Sequence, residues 1–169
     1  MPPQALDLAL IILLASCGFA DVARGRIPNA ITYPAMALGL AAAVAGPPGV
    51  RAAVGGLLAG GAVMLIACML GATGGGTVKL MAAVGALKGL TFVVTALFYS
   101  VLAGGVWAAL VLIWSGQTRS VFVDVGRLFL RTSRQDDRTP SRGGGLPFSV
   151  AIGVGTLTTL TLEWRARLA

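Results

Sequence analysis

Asp21 closes an apolar run, and a second polar interruption, GATGGGTVKLMAAVG from Gly71 to Gly85, lies between two hydrophobic segments further on. These two stretches hold the groups best placed for chemistry: the Asp21 carboxylate, the Thr77 hydroxyl and the Lys79 ammonium. Histidine is absent, which removes the commonest general base and metal ligand, so catalysis would rest on carboxylates, hydroxyls, thiols or lysine. The cysteines, Cys17 and Cys68, both fall inside apolar segments, where they read as small core residues. Neither a disulfide framework nor a metal cluster is suggested, and no cofactor is called for. Hydrolysis by carboxylates alone ordinarily uses two that share a proton, one activating water while the other, protonated, polarises the scissile carbonyl. A second carboxylate is therefore expected near Asp21.

The elements that must carry these groups are set by hydropathy. The chain is 56% hydrophobic and only 11% charged, the composition of a polytopic membrane protein. Residues 5–20 form a first apolar run ending at Asp21, with no basic residue before it, so it reads as a retained span rather than a secretory signal. Ile27 before Pro28 favours extended backbone, and Asn29 suits the N-cap of the next helix. Residues 30–46 make a second span, closed by Gly46-Pro47-Pro48-Gly49. Residues 53–70 make a third, with Gly56 and Gly60 in a spacing that permits close helix packing. A short helix from Val78 to Leu87, a turn at Lys88-Gly89, a long run from Leu90 to Trp114 and a last span from Leu146 to Leu162 complete six. Between the last two lies a basic segment, 115–143, in which VFVDVGRLFL suits an amphipathic surface helix and 132–144 a polar loop. The expected fold is all-α, one domain over residues 1–169, with six transmembrane helices and a cytoplasmic surface helix.

Charge orients the bundle. Nine basic residues, Arg24, Arg26, Lys79 and the six arginines of 115–143, fall on one face, against Arg51, Lys88, Arg165 and Arg167 on the other. The richer face is expected in the cytoplasm and the termini outside, so the net charge of +7 reads as an orientation signal rather than a nucleic-acid surface. Asp21 and Thr77 then share one membrane face. In lipid, glycine-rich irregular backbone must face water, a cavity or other protein, which makes Gly74-Gly75-Gly76 a candidate site. A plain turn with a snorkelling lysine is the competing reading. Asp21, for its part, could simply be neutralised by Arg24 or Arg26.

The segment Asp21 to Asn29, with its Asp and Arg-Ile-Pro-Asn, resembles the first signature of type IV prepilin peptidases, aspartic proteases of membranes, and especially the short TadV/CpaA branch serving Flp/Tad pili. Gly74 to Ala83 resembles their second signature, Gly-x-Gly-Asp followed by x-Lys, and Gly145 to Ile152 resembles their closing span. The resemblance implies cleavage of prepilin leader peptides at the cytoplasmic boundary of the bacterial inner membrane. It implies catalytic positions at Asp21 and Thr77, and substrate contacts at Pro28, Asn29, Gly74, Gly76 and Lys79. The implied partner is a prepilin or pseudopilin precursor, held through its leader and the start of its hydrophobic helix, beside membrane lipid. No zinc-binding cysteine cluster accompanies these motifs, so the methyltransferase half of some longer relatives is not expected. At the second catalytic position, however, stands a threonine, whose hydroxyl neither ionises near neutral pH nor shares a proton as a carboxylic acid does.

Impaired or absent cleavage is therefore expected. Three explanations stay open: an inactivating substitution, a natural non-cleaving protein that binds pilins or assists their assembly, and replacement of the missing acid by another. For the last, Asp124 on the expected surface helix is the candidate; Asp7 and Glu163 belong to the opposite face, and Asp136 and Asp137 to the polar loop. A small transporter is disfavoured by the lack of charge in the middles of the spans.

Overall fold

The computed structural model describes residues 3–24, 27–70, 73–115 and 148–168. They form six helices: α1 Pro3–Arg24, α2 Asn29–Ala45, α3 Val50–Met69, α4 Gly75–Lys88, α5 Leu90–Ser115 and α6 Phe148–Leu168. The expected surface helix and polar loop, with Asp124, Asp136 and Asp137, lie outside the described residues.

The shortest helix is the centre of the bundle. Every residue of α4 from Leu80 to Leu87 is buried, the mark of a helix that is apolar all round because protein surrounds it. Two neighbours reach it through glycines. A Cβ at Gly39 of α2 would stand 2.7 Å from the backbone carbon of Ala86, and one at Gly60 of α3 would stand 2.7 Å from the Met81 carbonyl oxygen. Gly56 and Gly85 meet backbone to backbone, with no room for a Cβ on either. Without a hydrophobic driving force between helices in lipid, such close approach gathers dispersion contacts, which explains the Gly56 and Gly60 spacing. A similar contact joins α5 and α6, where Gly155 lies against the backbone of Ser100.

Six transmembrane helices were expected, and three meet the requirements of length and apolarity: Gln4–Arg24, Val50–Met69 and Leu90–Trp107. The other three fall short for identifiable reasons. α2 has 17 residues and α4 has 14, about 26 Å and 21 Å at 1.5 Å per residue, against a hydrocarbon core of about 30 Å. α6 is long enough at 21 residues, but threonines and the Glu163-Trp164-Arg165-Ala166-Arg167 end lower its hydropathy. Its buried threonine hydroxyls are satisfied within the helix: Thr156 donates to the Ile152 carbonyl at 2.7 Å and Thr159 to that of Gly155 at 2.9 Å.

Two local expectations need correction. α1 does not stop at Asp21 but continues to Arg24, so the aspartate sits in the last turn of a helix. Asn29 is not a cap: Pro28 holds that position with φ −71° and ψ 133°, no side chain caps α2, and Asn29 is its first residue. Proline suits the place, since its missing N–H is one that a helix start leaves unpaired in any case. Of the cysteines, Cys17 is fully buried as expected, whereas Cys68 is only half-buried.

Candidate functional site

At the end of the bundle where α1 stops and α4 begins, four segments converge: the last turn of α1, residues 27–29, the start of α4 and the first turn of α6. Ile27 sets the spacing. A Cβ on Gly76 would lie 2.9 Å from the Ile27 Cβ, so glycine at 76 is what lets the extended Ile27-Pro28 segment press onto the α4 start. Gly74 and Gly75 differ, because a Cβ at either would meet nothing within 4 Å. Of the expected contact glycines, Gly76 is thus occupied by the protein's own chain, while Gly74 borders open space.

Asn29, freed from capping, turns its side chain to α4. Its Oδ1 accepts a hydrogen bond from Lys79 Nζ at 2.7 Å, and the same ammonium lies 5.3 Å from the centre of the Tyr33 ring. Asn29 and Tyr33 are four residues apart on α2, hence on one face, and together they cradle the lysine. Lys79 accordingly ties the first polar segment to the second rather than pointing freely to headgroups. Pro28 contributes direction: its carbonyl accepts from the Ile31 amide at 3.2 Å, starting the helix that presents Asn29.

Thr77 is buried, 5% exposed, in the first turn of α4. Its amide and hydroxyl both donate to the Gly74 carbonyl, at 3.1 Å and 2.6 Å, so the hydroxyl serves its own helix start. Asp21 is half-buried and accepts a hydrogen bond from Ser149 Oγ in the first turn of α6. Among the described residues, no ion pair forms at Asp21; Arg24 is exposed, and Arg26 lies outside them. Neutralisation by Arg24 is therefore not how this carboxylate is accommodated.

The six acids of the chain are Asp7, Asp21, Asp124, Asp136, Asp137 and Glu163. Asp7 and Glu163 sit at the far end of the bundle in ion pairs with Lys88, at 2.5 Å and 3.0 Å. Among the described residues Asp21 is thus the one carboxylate at its end. Chemically, this end offers a carboxylate with one oxygen taken by a hydroxyl, a cation held by Asn29 and Tyr33, and open backbone at Gly74 and Gly75.

Sequence reasoning missed Ser149, Tyr33 and Ile27. Ser149 is a polar residue just after Leu146-Pro147 at the beginning of an apolar run, and that was the available signal.

No curated protein and no solved structure matches the chain. A family model does, that of the type IV leader peptidase family, over residues 8–109. The match spans both polar segments, with Asp21, Ile27-Pro28-Asn29 and the Gly74–Lys79 turn inside it, and α6 with Ser149 outside it. Three helices of the all-helical bundle are long and apolar enough to cross a membrane, and the chain belongs to the type IV leader peptidase family.

Proposed function

We propose that this protein receives the leader and first hydrophobic turns of a prepilin-type precursor at the Asp21 end of the bundle, with Asp21 as the working carboxylate, and that its cleavage is impaired by the threonine at position 77. The observation that carries this reading is the pairing at Thr77. Its hydroxyl is spent on the Gly74 carbonyl, and no second carboxylate accompanies Asp21 among the described residues. A single carboxylate can accept a proton from water, but it leaves the scissile carbonyl without the acid that would polarise it. Gly74 and Gly75, with open space before them, give an extended peptide backbone room to approach, and Lys79, held by Asn29 and Tyr33, offers a fixed cation at its edge.

In this reading the protein is one domain of the bacterial inner membrane. All six helices cross, with the Asp21 end in the cytoplasm and the termini outside. α4 crosses within a protein sheath rather than in lipid, and the threonines of α6 cross because their hydroxyls bond back to their own helix. Binding of a pilin precursor without cleavage, as an assembly factor, is the second reading, and the same spent hydroxyl favours it.

One assay separates the two. Purified protein in lipid is given a prepilin with its leader, and release of the leader is followed for the natural chain, Thr77→Asp and Thr77→Asp with Asp21→Ala. Cleavage gained with Thr77→Asp and lost again with Asp21→Ala supports an incomplete dyad. Absence of cleavage from every form, with the precursor still bound, supports the assembly factor; neither cleavage nor binding removes both.

A further inference from the structure

We infer that Ser149 is a positioning residue for the Asp21 carboxylate, supplied by a helix outside the segment that identifies the family. The inference rests on the reading of Asp21 as the working carboxylate, and it starts from how the other helical hydroxyls of this protein behave. Ser16, Ser100, Thr156 and Thr159 each donate to the carbonyl four residues earlier, between 2.6 and 2.9 Å, as hydroxyls in apolar helices ordinarily do. Ser149 instead reaches another helix. It is the second residue of α6 and only 2% exposed. A buried hydroxyl without a partner is expensive. Its partner is Asp21 Oδ2, 128 residues away in sequence.

The consequence falls on the carboxylate. With Oδ2 held by a donor on another helix, rotation of the Asp21 side chain is restricted and Oδ1 is the oxygen left to meet water or substrate. A general base needs a defined direction. The far ends of the same two helices are joined as well, Trp164 Nε1 of α6 donating to Asp7 Oδ2 of α1 at 2.8 Å. The two helices therefore cannot slide past one another without breaking polar contacts at both ends, and Ser149 stays in register with Asp21.

Two measurements test this, one of them independent of turnover. Dicyclohexylcarbodiimide, an apolar reagent that attacks protonated carboxyl groups, is reacted with the natural chain and with Ser149→Ala, Ser149→Cys and Ser149→Thr, and modification at Asp21 is followed by mass spectrometry. Ala and Cys, which remove the hydroxyl with and without loss of volume and so free the Asp21 carboxyl to turn toward the reagent, are expected to raise the rate there about threefold or more. Thr, which restores the hydroxyl donor, returns the rate to that of the natural chain. In the Thr77→Asp background, Ser149→Ala and Ser149→Cys are expected to lower kcat by about 10- to 100-fold with KM little changed, and Ser149→Thr to rescue it. Equal labelling of Asp21 in natural, Ala and Cys chains of unchanged helix content overturns the inference whatever the cleavage data. Altered labelling in a Thr77→Asp chain that never cleaves keeps the Ser149 contact and removes the peptidase reading instead.

Discussion

Lys88 at the end of α4 and Asp7 near the start of α1 form a buried ion pair, Nζ to Oδ1 2.5 Å, with side chains 7% and 3% exposed. Around them Glu163 pairs with Lys88 at 3.0 Å, Arg167 reaches both acids at 3.6 Å, and the Phe92 ring lies 5.0 Å from the ammonium. Lys88 had the look of a turn residue in the sequence. In the fold it is the charge that joins three helix ends, on the side of the bundle away from Asp21.

Removing one partner of such a pair leaves a desolvated charge behind. Lys88→Met is therefore expected to destabilise the protein by about 3 kcal/mol or more, and Lys88→Met with Asp7→Asn by less than Lys88→Met alone. Thermal unfolding in detergent checks both, and a double variant no more stable than the single would count against the pair as the source of the loss.

The glycine contacts between α3 and α4 predict position-specific intolerance. Gly85→Ala forces a Cβ into the Gly56 backbone, so it is expected to lower stability by about 1–3 kcal/mol, which lowers the melting midpoint by roughly 2–12 °C. Gly153→Ala on α6 meets nothing within 4 Å and is expected to leave the midpoint unchanged or raise it slightly. Equal midpoints for the two variants would show that α3 and α4 do not meet in this way.

The contact of Lys79 with Asn29 is a single hydrogen bond at the bundle's end. A double-mutant cycle with Lys79→Ala and Asn29→Ala is expected to give a coupling of about 0.5–1.5 kcal/mol. Tyr33→Leu, which removes the ring but keeps an apolar side chain, takes away about 0.5–1 kcal/mol of cation attraction. Zero coupling would mean that Lys79 stands free of the first polar segment.

Gly74 and Gly76 are alike in sequence and opposite in surroundings. Gly76→Ala pushes on Ile27 and is expected to disturb the whole converging end, raising carbodiimide modification of Asp21 and lowering precursor binding. Gly74→Ala leaves the packing intact, so a loss of precursor binding there without a fall in melting midpoint points to substrate passing over this glycine. Should Gly74→Ala destabilise the protein as much as Gly76→Ala, the open space before Gly74 is not real.

What the sequence determined by itself was local. Apolar runs interrupted by Pro47-Pro48, the triglycine stretch and Lys88-Gly89 marked the helices, because hydropathy and breakers act over a few residues. The Gly56 and Gly60 spacing marked a close-packing face, and the two polar signatures marked the family. Where the reading went astray, a tertiary contact had overruled local preference: Asn29 gave up a cap it was well suited to because Lys79 stood opposite. Only the folded chain could decide the partners. Asp21 with Ser149, Asn29 with Lys79 and Asp7 with Lys88 are pairs that no periodicity relates. In a membrane bundle a buried polar group takes whichever complement the packing of distant helices brings within reach, and that packing is settled by backbone fit at a few glycines rather than by the polar residues themselves.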